Sequence, residues 1–343
     1  MVKFKRQFQN RGTILILTLW VLSFLTILAV HLGYHIRQKV ALLDRLESRS
    51  QLQHSAQAGI KKSIAMLKKF VGKDNRIAAV DKQSFFNNPE AFSKIPVGQN
   101  IVEVGYQTRL ELKSPLTQRF GLNDETSKLN INTATVEEMR ILLNQALSVD
   151  EDTALDIALA IFDWRQEAKS ELVGFYSEDY YEELRYPYKP KDAPFENLNE
   201  LLLVKGISAP LYERLINFVT IYTDGGININ TASVPVLLAI GIYPDLVDKI
   251  IIFRRGSDQE EATADDELFL KQQSIITQLE KVFPLEQFEA QQLDDMSNSG
   301  RLITMSGLYS IKSTAFSSRN NEKKVINCVF DFQNGKIKYW YEE

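Results

Sequence analysis

The side chains most able to do chemistry in this sequence are one cysteine, Cys328, and three histidines, His31, His35 and His54. A single cysteine makes neither an intrachain disulfide nor a thiolate zinc cluster. A thiolate–imidazole pair would have to join Cys328 to a histidine near the opposite end of the chain. Cys328 therefore reads as a small buried hydrophobe. The sequence shows no Ser-His-Asp set, no paired catalytic acids with a histidine, no Walker loop and no glycine-rich dinucleotide loop. The chain is not expected to be an enzyme.

Acidic side chains are more plentiful. Residues 131–270 carry 26 Asp and Glu against 11 Lys and Arg, a balance of −15 within a chain of net charge −4. Inside this block lies an internal repeat. Leu129-Asn-Ile-Asn-Thr-Ala-Thr-Val136 recurs as Ile227-Asn-Ile-Asn-Thr-Ala-Ser-Val234, identical at six of eight positions. In each copy an extended stretch meets a helix start. Asn132 and Asn230 suit the turn, and Thr135 and Ser233 suit the cap. Thr135 and Glu138 have capping-box spacing, and Pro235 fits a first helical turn. The repeat resembles the entry to helix-hairpin-helix modules, with Leu203-Val-Lys-Gly-Ile-Ser208 as the hairpin and Ser208 where a second glycine is expected. That resemblance implies a nucleic-acid-binding membrane protein of a DNA-uptake type. Phosphate contacts dominate DNA affinity, and so acidic a block repels the backbone. Nucleic acid is not an expected partner, and the motif reads as a way to start and join helices.

The elements that hold these residues begin with the N-terminus. Lys3, Lys5, Arg6 and Arg11 precede a run, Thr13–Ile36, of 24 residues without Asp, Glu, Lys or Arg. About 20 apolar residues cross a bilayer core as a helix. Trp20 and Tyr34 lie nearer its ends, where aromatic side chains favour the interface. The basic leader favours a cytoplasmic N-terminus. A secretory signal has its small residue after the apolar stretch; here Gly12 stands before it. Cleavage between Gly12 and Thr13 would remove the charges and leave the apolar helix at the new terminus. Val40, Leu43, Leu46, Ile60, Ile64 and Leu67 continue a helical pattern, so one helix over 13–70 would be roughly 85 Å long.

The alternation over Ile101–Leu112 predicts a strand, and 128–131 a second one. Helices are expected near 135–146, 152–168, 197–205, 209–222, 234–241 and 245–255. The polar, acidic stretch 257–267 reads as a mobile loop. Strands return over 302–309, 312–317, 325–332 and 337–341, with Asn334-Gly335 as a hairpin turn. A sheet split by a helical insertion explains this order with one sheet. The organisation expected is a leader over 1–12, a transmembrane part over 13–36, the rest of the long helix with the first strands over 37–130, an inserted helical domain over 131–226, and the remainder of the sheet-bearing domain with the C-terminal strands over 227–343.

Gly12-Thr13 with its apolar run resembles the leader of type IV prepilins and type II secretion pseudopilins. Ala193–Ile207 and Asp224–Ser233 extend the likeness to one family, the K-type minor pseudopilins (general secretion pathway protein K), over 11 to about 255. The resemblance implies an α+β fold in which a pilin-like N-terminal helix packs on an antiparallel sheet with an inserted all-helical domain. It implies processing at Gly12 and Thr13 by prepilin peptidase, with N-methylation. It also implies a single-pass bacterial inner-membrane protein with its bulk in the periplasm. Implied partners are minor pseudopilins I and J, at the pseudopilus tip, in export of folded proteins. Most pseudopilins carry a glutamate five residues past the cleavage point. Leu17 occupies that position here, and K-type members likewise lack the acid, which points to the tip. The family also implies calcium in the helical block, for which Glu178 and Asp179, with Asp192 or Asp163, are the candidate ligands; a solvated acidic surface explains the same residues.

Overall fold

The computed structural model describes residues 11–69, 85–108, 117–165, 178–319 and 321–343, with side chains from Ile14 onward and excluding those of Glu178 and Asp179. The chain divides into two compact units, Met1–His54 and Ser55–Glu343.

One helix, Arg11–Lys69, begins in the first unit and ends in the second. Its apolar part is long enough to cross a membrane, and none of that stretch is buried within the protein. Leu17 and Trp20 are both exposed there, at 65% and 72%.

The second unit is built on an antiparallel sheet of spatial order β1-β2-β9-β10-β11, with β1 at Ile95–Val97, β2 at Asn100–Thr108, β9 at Leu308–Phe316, β10 at Lys323–Asp331 and β11 at Lys336–Glu342. Two short strands flank the path: β3 (Thr117–Phe120) pairs with β2, and β4 (Asn123–Asp124) with β9. In β9, Tyr309, Ile311, Ser313 and Ala315 are buried and their alternates are not, the period-two signature of a strand with one face packed. Within this unit the helix buries Ala56, Ile60, Ser63 and Leu67. Gly59 permits the approach: a Cβ there would stand 2.2 Å from Ser313 Oγ and 2.8 Å from Val102 Cγ1. β9 is one strand where two were expected, because Ser310 and Lys312 fall on its outward positions and do not break it.

β2 and β9 are neighbours in space, yet Gly121 to Gly307 lies between the last part of β3 and the start of β9 in sequence. After the short strand β4, most of that insertion is the helical block. Its apolar side chains form one continuous core from Leu129 to Leu302. The boundary expected at 226/227 falls inside this core, so the structure assigns 227–302 to the helical block and not to the sheet-bearing domain. The physical reason is the repeat: its second copy starts a second helix pair, which packs on the first through Val136–Leu147 and Val234–Ala239. Two helices not expected from the sequence, Ile275–Glu280 and Gln287–Asn298, complete it.

Cys328 lies in β10 opposite Ile311, 1% exposed, and burial pushes its thiol up to about 12. The thiolate is the reactive form. At pH 7–9 the folded protein is therefore expected to resist alkylation by iodoacetamide, and the unfolded chain, with its thiol back near 8.5, to react. Mass spectrometry of both samples reads the difference; full labelling of native protein at pH 8 contradicts it.

Candidate functional site: a duplicated helical block

The two copies of the repeat are the first strands of two equivalent modules. β5 (Leu129–Asn130) pairs in parallel with β6 (Val219–Thr220), and β7 (Ile227–Asn228) pairs in parallel with β8 (Leu302–Ile303). Each module leaves its first strand, runs through a helix pair and then through shorter elements, and ends on a strand that pairs with the first. In the first, the helices are Val136–Leu147 and Glu151–Arg165; in the second, Val234–Ala239 and Pro244–Arg254.

The asparagines hold each module closed. The Asn130 Oδ1 accepts from the Asn132 N–H at 2.8 Å, and the Asn228 Oδ1 from the Asn230 N–H at 3.1 Å, the short-range bond of an Asx turn. The second asparagine of each copy then reaches a distant phenylalanine. Asn132 donates to the Phe195 carbonyl (3.0 Å) and accepts from its N–H (2.8 Å). Asn230 does the same with Phe269, at 2.9 and 2.8 Å. A side-chain amide paired both ways with one backbone residue imitates a rung of a β-ladder. Both phenylalanines are buried, at 3% and 1%. An arginine at the end of each second helix completes the pattern. Arg165 donates to the carbonyls of Ile131 and Ala134, and Arg254 to that of Ala232 at 2.6 Å. Capping differs between the copies. Thr135 and Glu138 form the expected box, whereas Ser233 makes no side-chain cap and Pro235 occupies the first turn.

Adjacent carboxylates at the end of β4 tie the modules to the sheet. Glu125 receives Lys128 at 2.6 Å and the Thr220 hydroxyl at 2.6 Å, gripping the first module. Asp124 receives the Asn228 amide at 2.8 Å and the Thr231 hydroxyl at 2.6 Å, gripping the second. Its other oxygen caps the turn through the Thr126 N–H and hydroxyl. Beside Asp124 lies a polar cavity of about 70 Å³ lined by Tyr106, Arg119, Asn230, Arg254, Glu261 and Asp266, among others. Burial pushes the Tyr106 phenol up to about 12 and Arg254 below its ordinary value, although the nearby Glu261 and Asp266 favour the guanidinium charge.

Glu261 comes from the acidic stretch expected to be a mobile loop. That stretch is instead fastened by hydrogen bonds. Asp265 accepts from Ser257 and from the Asp258 N–H, which holds its carboxyl well below the usual range. Asp266 accepts from the Ala262 N–H. Glu261 meets Arg254 at 3.1 Å and Arg119 at 3.7 Å. Its acids serve one another's backbone and two buried arginines, which a reading by composition misses.

The residues singled out by sequence are spread over the chain. Gly12, Thr13, Leu17 and Trp20 lie on the first turns of the N-terminal helix. Asp163 is buried on the Glu151–Arg165 helix, beside an aromatic cluster of Trp164, Tyr181, Tyr188 and Phe195. Burial first, and Asp163 to a lesser extent, pushes the Tyr181 phenol up to about 12. Asp192 sits in the following loop with φ 53°. Glu178 and Asp179 lie on the helix Glu178–Glu182, and their side chains fall outside the described residues. Among the described residues no three acidic, His or Cys side chains converge as a metal centre. In the hairpin, Gly206 has φ 84° and packs so closely that a Cβ would reach Ile157 at 2.8 Å. Ser208, in place of a glycine, accepts from the Leu211 N–H, and Pro210 removes another donor from that helix start. Within the hairpin the Val204 N–H donates to the Leu201 carbonyl, the Lys205 N–H to the Tyr181 hydroxyl and the Ile207 N–H to the Val204 carbonyl, so these donors serve the fold.

Known proteins match this architecture. The family description "Type II secretion system (T2SS), protein K" matches residues 118–224, which span the first module. The type II secretion system protein K of Pseudomonas aeruginosa is 30% identical over 254 residues, 72% of each chain. That of Aeromonas hydrophila is 34% identical over 116 residues, 33% of this chain and 35% of its own. A chain in the crystal structure of the GspK-GspI-GspJ complex from the enterotoxigenic Escherichia coli type 2 secretion system superposes with a TM-score of 0.59 at 18% identity, covering 88% of this chain and 98% of that one. An identity of 30% across 72% of both lengths places this chain in the type II secretion system protein K family, the K-type minor pseudopilins.

Proposed function

We propose that this protein sits at the tip of a periplasmic pseudopilus, where it starts or caps the assembly together with its I-type and J-type counterparts. It acts there as a structural subunit in the export of folded proteins. The observation that carries the reading is the helical block inserted between the adjacent strands β2 and β9. A subunit that repeats along a shaft must meet the copy above and the copy below through two complementary surfaces, and so large an insertion is a poor fit to such a repeat. Leu17 supports the same place: it brings no carboxylate into the membrane that would need a neighbour to neutralise it. The GspK-GspI-GspJ complex contains the corresponding partners in Escherichia coli.

In this reading the chain is a single-pass inner-membrane protein with its bulk in the periplasm. Prepilin peptidase cleaves it between Gly12 and Thr13 and methylates the new amine. The test is co-purification of the full chain with its I-type and J-type counterparts from detergent-solubilised membranes. A ternary complex at micromolar concentration, with Thr13 as the mature N-terminus by mass spectrometry, is the expected result. An intact Met1 in cells with active prepilin peptidase, or no complex with either counterpart, counts against it.

A further inference from the structure

His31 and His35 stand four residues apart in His-Leu-Gly-Tyr-His, one turn of the N-terminal helix, and both are exposed. Their Nε2 atoms face each other at 3.1 Å, with ring centroids 4.4 Å apart. Two nitrogen ligands about 2.0–2.1 Å from one ion stand about 2.9 Å apart at a right angle and about 3.4 Å apart at the tetrahedral angle. The observed separation of 3.1 Å lies between these limits. We propose that His31 and His35 form a two-histidine site for a divalent transition-metal ion of the zinc, nickel and copper class, with water completing the coordination. This inference is independent of the tip reading.

The chemistry requires little rearrangement. In the metal-free pair one Nε2 donates its proton to the other. For both to bind an ion, that ring moves its proton to Nδ1, a change of tautomer with no loss of charge. Two imidazoles at this spacing on one helix face are also the ligand pair of the His-x-x-x-His zinc motifs. About 20 residues cross a bilayer core, so a span that begins at Thr13 reaches its far interface near residue 32, beside His31 and before His35, where water is available. Arg37 and Lys39, the nearest charged residues along the helix, oppose a further cation, so the affinity expected is modest.

The rest of the chain offers little competition from soft ligands: His54 is the one other histidine, and Cys328 is buried. The experiment uses the full chain in detergent micelles, purified without a histidine tag. Cobalt(II) is titrated by its visible absorption and zinc(II) by calorimetry. One saturable equivalent is expected. His31→Ala and His35→Ala are each expected to weaken it at least about tenfold, as loss of even an outer-shell partner does, with His54→Ala unchanged. Calcium, which prefers oxygen ligands, should not displace cobalt. Alanine is a strong helix former at exposed positions, and circular dichroism checks that each variant keeps its helix. Undiminished binding in the double variant would assign the ions to acidic side chains and overturn the proposal, as would the absence of saturable binding in the unmodified chain.

Discussion

Replacing Arg254 with methionine is expected to destabilise the Ser55–Glu343 unit by about 3–5 kcal/mol, the usual cost of removing one partner of a buried ion pair. The guanidinium is 3% exposed and joins three parts of the fold. It donates to the Ala232 carbonyl at 2.6 Å, which holds the second repeat, and to Glu261 at 3.1 Å, which holds the acidic loop. Methionine fills much of the volume and supplies neither donor. Arg119 remains near Glu261, with its guanidinium donating to the Glu261 carbonyl at 3.0 Å, so the lower half of the range is the better expectation. Lysine carries the charge on a single compact head and cannot span both acceptors in the planar manner of arginine. Arg254→Lys should therefore recover only part of the loss. Against a typical total of about 5–15 kcal/mol, the methionine variant would be prone to unfold on purification. Urea unfolding followed by tryptophan fluorescence measures it; a loss under about 1 kcal/mol would show that the pair is dispensable.

The sequence made one half of this interaction visible and hid the other. The repeat is legible because its asparagines sit at fixed offsets within eight residues. What those asparagines bind is not, because the modules differ in length between fixed points. Asn132 reaches Phe195 across 63 residues and Asn230 reaches Phe269 across 39. The first helix of the first module has 12 residues and that of the second has 6. No constant period links Arg165 to Arg254, and only the geometry shows that they are equivalent. A faint signal existed: each arginine follows a large aromatic residue, Trp164 or Phe253, at the end of an apolar helical pattern. The helix Gln287–Asn298 was illegible for another reason. Only Glu289 and Leu293 are buried on it, so it shows almost no apolar stripe. The long N-terminal helix, the split sheet and the hairpin at Asn334-Gly335 were legible, because each rests on a local pattern. The parallel pairings β5–β6 and β7–β8 rest on contacts across about ninety or fewer residues and two hydrogen-bonded positions each.

Asp124→Ala is expected to cost about 2–4 kcal/mol and to loosen the second module more than the first. The carboxylate is 1% exposed and accepts four hydrogen bonds, from the Thr126 N–H and hydroxyl and from Asn228 and Thr231. Removing it leaves a buried amide of Asn228 and a buried N–H of Thr126 without this acceptor, and each such orphan costs about 1–3 kcal/mol. The hydroxyls can rotate to other acceptors, so the four bonds do not add. Asp124→Asn separates charge from shape. One oxygen still accepts, but the new NH₂ opposes whichever donors the other oxygen served, so the loss should remain well above half of that for alanine. The first copy supplies an internal control. There Asn130, the equivalent of Asn228, donates to the Thr223 carbonyl within its own module and has no need of Asp124. A double-mutant cycle between Asp124→Ala and Asn228→Ala should show coupling above about 1 kcal/mol, whereas the cycle with Asn130→Ala should be additive within about 0.5 kcal/mol. Hydrogen exchange should localise the loosening to β7 and β8, with β5 and β6 still protected. Equal loosening of both pairs would mean that the two modules unfold as one unit, and that Asp124 anchors the whole block rather than its second half.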